Sequence, residues 1–324
     1  MWESKSVLVT GGSGLVGVNL VDRLLSLGCF VRSVYCSNKP PIRDNVEYVQ
    51  ADLQVKEDAQ RVIKDMEYVF LSAASTSGAA AISSTPMVHV IPNVIMNTRC
   101  LEACYLERVE KVLWLSSTTS YPDVDHAVTE DEMFTDDPYE KYYFVGWMKR
   151  FTEILCNMYS NKLARKMPVL VLRPTNIYGP HDKFDPERSH VLPALIRKVV
   201  ERQSPIEVWG DGHDERDFIY VDDMVDAIVL AMEKQVTYDP INIGFGKTYT
   251  VNEVLQIILN IDGYTDARIV YNADKPTMIP VRRVAVKKAK NFLGFEAKVP
   301  LEEGIRRTIE FYREQHRECL YARV

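Results

Sequence analysis

Short apolar runs alternate with amphipathic segments through the first half of the chain. Six runs rich in Val, Ile, Leu, Tyr and Phe predict β-strands over residues 6–10, 29–35, 46–51, 68–73, 111–117 and 168–174. "SVLVT" and "PVLVL" are almost continuously apolar, which is typical of parallel strands that are covered on both faces. The segments between the runs, such as "VGVNLVDRLLSLG", have helical spacing. This alternation predicts an α/β fold with a doubly wound parallel sheet.

The pattern changes after about residue 174, where loops rich in Gly, Pro and His alternate with short helices and strands. "YVDDMVDAIVLAMEK" then predicts a helix that returns to the main sheet. We therefore expect one large domain over 1–174 that is rejoined by about 218–243. The remaining ranges, 175–217 and 244–324, are expected to form a smaller, interleaved C-terminal region.

Composition argues against several classes of protein. The 324 residues carry a formal net charge of −6, which argues against a nucleic-acid partner or an anionic membrane surface. No apolar run reaches the roughly 20 residues that span a bilayer, and no signal peptide is recognisable. The six cysteines include no C-x-x-C pair and no histidine at metal-binding spacing, so we expect no metal site. A reducing, cytoplasmic location is therefore expected.

A glycine pattern follows the first predicted strand. "VLVTGGSGLVGVNLVDRLL" places Gly11, Gly14 and Gly17 between a strand and a helix. In such a turn the first glycine permits the tight bend, the second lets a pyrophosphate approach, and the third allows close helix–sheet packing. Leu15 and Val16 open the helix and offer backbone N–H groups and the positive end of the helix dipole to phosphates. The larger domain is therefore predicted to be a Rossmann-type dinucleotide-binding domain.

Residues after the next strands are candidates to bind the rest of the cofactor. NAD sites usually carry an acid after the second strand, which binds the ribose 2′-OH. Here Cys36 stands at that position, and the hydroxyl and the cation that follow it suit a 2′-phosphate better. NADP is therefore favoured, and NAD stays an alternative. The candidates after the second, third and fourth strands are Ser37, Asn38, Lys39, Asp52, Leu53, Ala73 and Ala74.

Motifs along nearly the whole chain resemble the extended short-chain dehydrogenase/reductases, the NAD-dependent epimerase/dehydratase family. They include "TGGSGLVG", "LSSTTSYPD", "RPTNIYGPHD" and "VWGDGHDERDFIYVDDMVDAI". Within that family, "GPHDKFDPERSHVLPALIRK" is most similar to the GDP-L-fucose synthases. The resemblance implies an NAD(P)-dependent enzyme that carries out redox chemistry at C4 of a nucleotide-diphosphate sugar, with a GDP-sugar favoured. Epimerase, 4-ketosugar reductase and C4 oxidase activities all fit this description.

In this family, a Ser or Thr after the fifth strand and a Tyr-x-x-x-Lys helix move the proton that must accompany hydride transfer. A neighbouring lysine and the positive nicotinamide lower the pKa of the tyrosine, and residues four apart share one helix face. The resemblance assigns the hydroxyl to Ser117 and Thr118 and the lysine to Lys149. The same lysine is expected to hold the nicotinamide ribose.

The tyrosine of this pair is missing from its position. Val145 stands four residues before Lys149, and a valine cannot transfer a proton. Tyr142 and Tyr143 are the candidates to replace it, provided that an irregular start of the helix brings one of them to Lys149.

A second departure concerns the residues that fucose synthases use to epimerise carbons beside a 4-keto group. Thr119 stands at the position of their cysteine, whereas His190 matches their histidine. Because threonine is too weak an acid or base to deprotonate carbon, a double epimerisation is not expected. These departures leave an alternative open, a catalytically impaired protein that binds NADP and a sugar nucleotide.

The resemblance places the sugar nucleotide against the smaller region, which is therefore expected to be the substrate-binding region. Asn176 and Arg216 are expected to contact the diphosphate, because arginine binds phosphate in a bidentate manner. Lys198 is a second phosphate candidate, and Trp209 is a candidate to stack on the base. Thr119 and His190 complete the set of expected substrate contacts.

The resemblance also implies a homodimer, because family members pair through helices that correspond roughly to 94–107 and 143–160. Apolar side chains on these helices suit either a dimer seam or the inward faces of the helices. The sequence leaves both choices open for Leu101, Phe151, Ile154, Leu155 and Met158.

Overall fold

The computed structural model describes residues 1–76, 82, 84–186 and 188–317. In chain order the strands are β1 (Ser6–Thr10), β2 (Phe30–Tyr35), β3 (Val46–Gln50), β4 (Tyr68–Leu71), β5 (Lys111–Leu115), β6 (Val169–Pro174), β7 (Asn176–Tyr178), β8 (Ile206–Trp209), β9 (Glu215–Tyr220), β10 (Ile241–Ile243), β11 (Thr248–Thr250), β12 (Ile269–Asn272) and β13 (Val281–Arg282). The helices are α1 (Leu15–Ser26), α2 (Lys56–Ile63), α3 (Met87–Leu106), α4 (Tyr143–Asn157), α5 (Val191–Val200), α6 (Val221–Lys234), α7 (Val251–Asp262) and α8 (Leu301–Gln315).

Within the described residues, seven parallel strands form the main sheet in the order β10-β6-β5-β4-β1-β2-β3. The six strands predicted from the sequence are β1 to β6, which all belong to this sheet. The doubly wound parallel sheet is therefore confirmed. The chain order reverses between β1 and β4, and the carboxyl ends of strands at such a point form the usual ligand crevice of this fold.

Alternate residues of the strands pack into two separate apolar cores, one on each face of the sheet. Side chains such as Val7, Val9 and Phe70 pack with α1 and α6 on one face. Leu8 and Val69 point the other way and pack with α2, α3 and α4. This burial on both faces is the physical reason for the continuous apolar runs in the sequence.

The second half of the chain builds two small sheets and returns once to the main sheet. Strand β9 pairs with β7, β11 and β13, while β8 pairs with β12. Helix α6 lies within the predicted segment 220–234, and β10 pairs with β6 at the edge of the main sheet. Our division into 1–174 with about 218–243, and 175–217 with 244–324, remains a proposal.

A buried ion pair joins α4 to strand β6 of the main sheet. The guanidinium of Arg173 donates to both carboxylate oxygens of Glu153 at 3.0 and 2.6 Å. The two side chains are only 2% and 0% exposed. The Ser116 hydroxyl also donates to Glu153 at 2.6 Å, and Arg173 donates to the Tyr121 hydroxyl at 2.7 Å. The pair therefore anchors α4 to the segment that follows β5.

We expect Glu153→Ala to lower the free energy of unfolding by about 3–5 kcal/mol, because it leaves the Arg173 charge buried without its partner. Denaturant unfolding at neutral pH measures this loss. The control is Glu303→Ala, which breaks an exposed pair with Arg307 on α8 and should cost about 0.5 kcal/mol or less. Equal losses in the two variants would contradict the structural role assigned to Glu153.

Candidate active site

The turn between β1 and α1 can be built only with glycine at two positions. Gly11 has a positive φ of 68°, and a Cβ atom there would lie 2.8 Å from the Cα atom of Ala73. A Cβ atom on Gly17 would lie 2.1 Å from the carbonyl oxygen of Gly11. These contacts bring the turn against the exit of β4 and pack α1 closely against it, as the sequence pattern predicts.

The start of α1 fits the diphosphate of a dinucleotide. The helix begins at Leu15, its N-cap residue is Gly14, and no side chain caps it or places an acid in its first turn. The first backbone N–H groups of a helix, here those of Leu15 and Val16 among them, have no intrahelical acceptor and attract anions. The Cβ-free cradle and these donors therefore suit the nicotinamide dinucleotide that the sequence predicts.

The remaining cofactor candidates lie in three loops at the same edge of the sheet. Ser37, Asn38 and Lys39 are exposed after β2. The Asp52 carboxylate accepts the Gln54 backbone N–H at 3.0 Å and thus shapes its own turn.

The loops after β3 and β4 offer the cofactor mainly backbone. The Leu53 side chain is 6% exposed and belongs to the core, so only its backbone is left to meet an adenine ring. Ala73 follows β4, and its backbone N–H donates to the Thr10 hydroxyl at 3.1 Å. Ala73 is half-buried beside the glycine turn, and Ala74 is exposed.

Lys149 lies at the carboxyl end of β5, where the family resemblance places it. Its Nζ atom donates to the carbonyl oxygen of Leu115 at 3.0 Å. The same atom lies 4.7 Å from the centre of the Trp114 ring. Burial lowers the pKa of Lys149 to about 8, and the Glu153 carboxylate and Cys156 oppose this shift.

The turn that follows β5 carries the predicted hydroxyl groups and lies beside α4. The Ser117 hydroxyl accepts hydrogen bonds from the Thr119 backbone N–H at 3.2 Å and the Thr119 hydroxyl at 3.0 Å. Thr118 is buried, at 7% exposure. A Cβ atom on Gly146 would lie 3.1 Å from the Thr119 carbonyl oxygen. The structure thus brings Lys149, through Leu115, close to the Ser117–Thr119 turn.

In the described part of the chain, neither Tyr142 nor Tyr143 forms a hydrogen bond with Lys149, which donates to Leu115 instead. Tyr142 ends a 3₁₀ turn before α4, and burial raises the pKa of its phenol while Arg216 and Arg282 act in the opposite direction. Tyr143 is 41% exposed and packs edge-on against Phe144. Among the described residues, the ionisable groups that oppose the lowered pKa of Lys149 are Glu153 and Cys156, which lie on its own helix. The hydrogen bonds of the described residues therefore do not join either phenol to Lys149.

His190 lines the cleft from the opposite side. It is the N-cap residue of α5 and is exposed. Loss of hydration at the imidazole lowers the pKa of His190, and the charges of Lys183 and His89 lower it further. Lys183 donates to the Thr76 hydroxyl at 2.8 Å, which places this group of residues at the exit of β4.

The substrate candidates of the smaller region are each held by an internal hydrogen bond. The Asn176 amide donates to the Asp217 carbonyl oxygen at 2.9 Å, and Arg216 donates to the Asp214 carboxylate at 3.1 Å. Lys198 donates to the Glu207 carbonyl oxygen at 2.6 Å, so its ammonium is fixed on β8. Trp209 is 38% exposed on the same strand, and its indole N–H donates to the Glu207 carboxylate at 3.3 Å.

Two buried residues that shape the site were not recognised from the sequence. Glu153 comes one helical turn after Lys149, and a Lys-x-x-x-Glu spacing on the predicted helix was its signal. Asp217 is 2% exposed and accepts the backbone N–H groups of Phe245 and Gly246 at 2.9 and 2.8 Å. Burial raises the pKa of Asp217 to about 6. In the sequence, an arginine such as the neighbouring Arg216 indicates phosphate binding, whereas an aspartate that anchors a loop has no distinctive pattern.

Comparison with known proteins agrees with the dinucleotide-binding geometry of the site. The model of the NAD dependent epimerase/dehydratase family matches residues 7–244. The chain belongs to this family. Its members include the relative named "Probable GDP-L-fucose synthase 1" of Oryza sativa subsp. japonica, which is 30% identical over 316 residues, covering 94% of this chain and 91% of that protein. The sequence-based resemblance to GDP-L-fucose synthases is confirmed.

Two solved structures share the fold over nearly the whole chain. The UDP-glucose 4-epimerase of Thermotoga maritima, solved with UDP-glucose, superposes with a TM-score of 0.86 at 29% identity and covers 95% of this chain and 99% of its own. MoeE5, solved with UDP-glucuronic acid and NAD, gives a TM-score of 0.84 at 28% identity, with coverages of 96% and 99%.

The prediction of an enzyme of the extended short-chain dehydrogenase/reductase type is thereby confirmed, since the relatives of this epimerase-family chain are NAD(P)-dependent nucleotide-sugar epimerases and reductases. In the described part of the chain, none of the helices combines the length and the apolar character that crossing a membrane requires.

We expect Gly17→Ala to weaken cofactor binding by more than tenfold, because its Cβ atom would collide with the Gly11 carbonyl and displace the phosphate-binding turn. Titration calorimetry with NADP and NAD measures the loss. Gly263→Ala is the control, since Gly263 has a positive φ of 79° but no atom of the described residues within 4 Å of the place a Cβ would take. It should cost about 1 kcal/mol of stability and leave cofactor affinity unchanged. Equal cofactor affinity of the Gly17 variant and the wild type would contradict the proposed cradle.

Proposed function

We propose that this chain is an NAD(P)-dependent enzyme that carries out redox chemistry at C4 of a nucleotide-diphosphate sugar, as an epimerase or a reductase. The observation that carries the proposal is the position of Lys149, held on the Leu115 carbonyl beside the Ser117–Thr119 turn. This places a cation and hydroxyl groups at the carboxyl end of β5, next to the point where the strand order reverses.

A GDP-sugar and NADP are the favoured ligands in this proposal. The relatives named GDP-L-fucose synthase support guanine, while the solved neighbours that hold UDP-sugars keep uracil as the competing base. Ser37 and Lys39 are exposed, and position 36, where NAD sites usually carry an acid, is a cysteine. These residues support NADP over NAD because they suit a 2′-phosphate.

The bound nicotinamide would supply the acceptor and donor of a hydride. The residues of the chain bind and orient the sugar around it. Ser117 presents a hydroxyl whose oxygen already accepts two hydrogen bonds from Thr119, so its own proton is free to point to a sugar oxygen. Arg216 and Asn176 would hold the diphosphate. Thr119 has no group able to deprotonate carbon, so we limit the chemistry to C4.

One observation favours a second function, a protein that binds NADP and a sugar nucleotide without turnover. Val145 stands where the family carries the phenol that performs proton transfer, and among the described residues neither Tyr142 nor Tyr143 forms a hydrogen bond with Lys149.

We also propose that the chain forms a homodimer through a face shared by α3 and α4. The two helices present large apolar side chains to solvent, each at least 37% exposed: Met87, Val88, Ile91, Ile95, Phe144, Trp147, Phe151 and Ile154. A two-fold pairing of the chain through these side chains would remove them from water. Leu101 is fully buried and faces inward, while Phe151 and Ile154 face outward.

The test of the function is transfer of label from a sugar to the cofactor. We expect deuterium at C4 of a GDP- or UDP-sugar to appear in reduced cofactor, and a binding protein without turnover would give no transfer with any sugar of a GDP, UDP, CDP and dTDP panel.

Arg216→Leu should raise KM by roughly 10- to 100-fold through loss of a charged hydrogen bond to phosphate. Arg283→Leu, which loses an exposed pair with Glu215, should leave KM within about twofold. Equal KM values in the two variants would contradict the placement of the diphosphate.

The test of the dimer is the mass of the particle in solution. Phe144→Glu with Ile154→Glu should convert the dimer to a monomer in light scattering, because four charges would meet in a closed two-fold interface. The control is Phe292→Glu, at a 48% exposed position whose neighbours Ala289 and Leu293 pack in the core on the opposite face of the sheet. A monomeric wild type would exclude the interface.

A further inference from the structure

Redox at C4 needs a group that exchanges a proton with the sugar oxygen, and the family's phenol is absent here. Val145 is half-buried at that position and has no ionisable atom. It lies one turn before Lys149 on the same face of α4. The proton must therefore pass through another group that the structure places at this end of the cleft.

The neighbouring groups are poorly suited to this task. The hydroxyls of Ser117, Thr118 and Thr119 are alcohols and do not ionise near neutral pH. The Tyr142 phenol is surrounded by protein near Arg216, and burial raises its pKa.

Tyr143 and His190 are directed elsewhere. Tyr143 is 41% exposed against Phe144. His190 responds to Lys183 and His89, at the exit of β4 and the start of α3, which is the other wall of the cleft.

Lys149 has the contacts expected of a proton carrier. It makes one hydrogen bond within the described residues, to Leu115 at 3.0 Å, so two of its three N–H bonds remain for a ligand. The ammonium also lies over the Trp114 ring, 4.7 Å from its centre, at the distance of a cation–π interaction. Within the same described part of the chain, no carboxylate forms an ion pair with it.

The charges around Lys149 leave it easily deprotonated. On its own helix it faces Glu153 and Cys156. From β6, Arg173 neutralises Glu153 through two hydrogen bonds at 2.6 and 3.0 Å. Strand β5 offers a carbonyl and an indole ring, neither of which carries a charge. Burial then dominates and lowers the pKa of Lys149 to about 8, within reach of neutral pH.

We propose that Lys149 is itself the acid–base catalyst of the C4 redox step in this chain, in place of a tyrosine. The proposal rests on the proposed function. In the oxidative direction the neutral amine takes the proton of the C4 hydroxyl, which Ser117 orients. The hydrogen on C4 leaves with its electron pair to the oxidised nicotinamide, and the products are a 4-keto sugar, reduced cofactor and the Lys149 ammonium. In reduction, the hydride returns to C4 and the proton of the Lys149 ammonium returns to the sugar oxygen.

The pH dependence follows from the protonation state. Oxidation needs the neutral amine, so its kcat should rise as the pH passes through about 8 and then level off. Reduction needs the ammonium, so its kcat should fall over the same range.

Lys149→Arg separates catalysis from cofactor holding, because arginine keeps the charge but does not deprotonate. We expect this variant to bind the cofactor within about threefold of wild type by calorimetry, and to lose about 10²- to 10⁴-fold in kcat. Lys149→Ala should regain activity with added ethylamine, with the same pH limb. Calorimetry and thermal unfolding show that each variant is folded.

Val145→Tyr restores the family's pair and is the complementary test. We expect its oxidation limb to move to lower pH and its kcat to rise, whereas the matched Val145→Phe adds the ring without the hydroxyl and should do neither. If Lys149→Arg keeps the wild-type rate and pH limb, this proposal is wrong while the proposed function stands. If wild-type protein binds cofactor but turns over no sugar, the proposed function fails and this proposal fails with it.

Discussion

The contact between α4 and the carboxyl end of β5 is the constraint on which the rest of the site depends. Lys149 reaches the last carbonyl of β5, Glu153 reaches Ser116, and Gly146 lets the first turn of the helix lie against Thr119. One helix thus fixes both the cation and the hydroxyl-bearing turn. Because β5 lies beside β4, this arrangement faces the cleft formed where the strand order reverses.

The buried pair of Glu153 and Arg173 explains how a lysine can be held there and still deprotonate. A buried ion pair adds little net stability, since desolvation offsets most of the attraction. Its effect here is to hold α4 against β6 and to neutralise the Glu153 charge with Arg173. Lys149 therefore feels the low polarity around it more strongly than an opposite charge, and its pKa falls.

Much of the fold could be predicted because burial on both faces leaves a signal in every strand. The runs at 6–10 and 168–174 differ from the observed β1 and β6 by at most one residue. The glycine turn was equally clear, since Gly11 and Gly17 have backbone requirements that no other residue meets. The position of Lys149 followed from its helix and the strand after it.

The fate of the tyrosines could not be predicted, because it depends on where α4 begins. Tyr142 lies before the first helical turn, so its phenol leaves the face of Lys149 and turns to Arg216. Leu101 and Ile154 had the same periodicity in the sequence, and only the packing of the two helices shows that one is buried and the other exposed. The partner of Glu153 lies on a strand twenty residues away, which no local pattern reveals.

The most direct measurement is a pH titration of Lys149 followed by NMR of ¹³C-labelled lysine side chains, with Lys149→Arg used to assign the signal. The account predicts one lysine ε-carbon resonance that titrates with a midpoint of about 8 and is missing from the spectrum of the variant. A Lys149 signal that titrates near the ordinary lysine pKa of about 10.4 would contradict it.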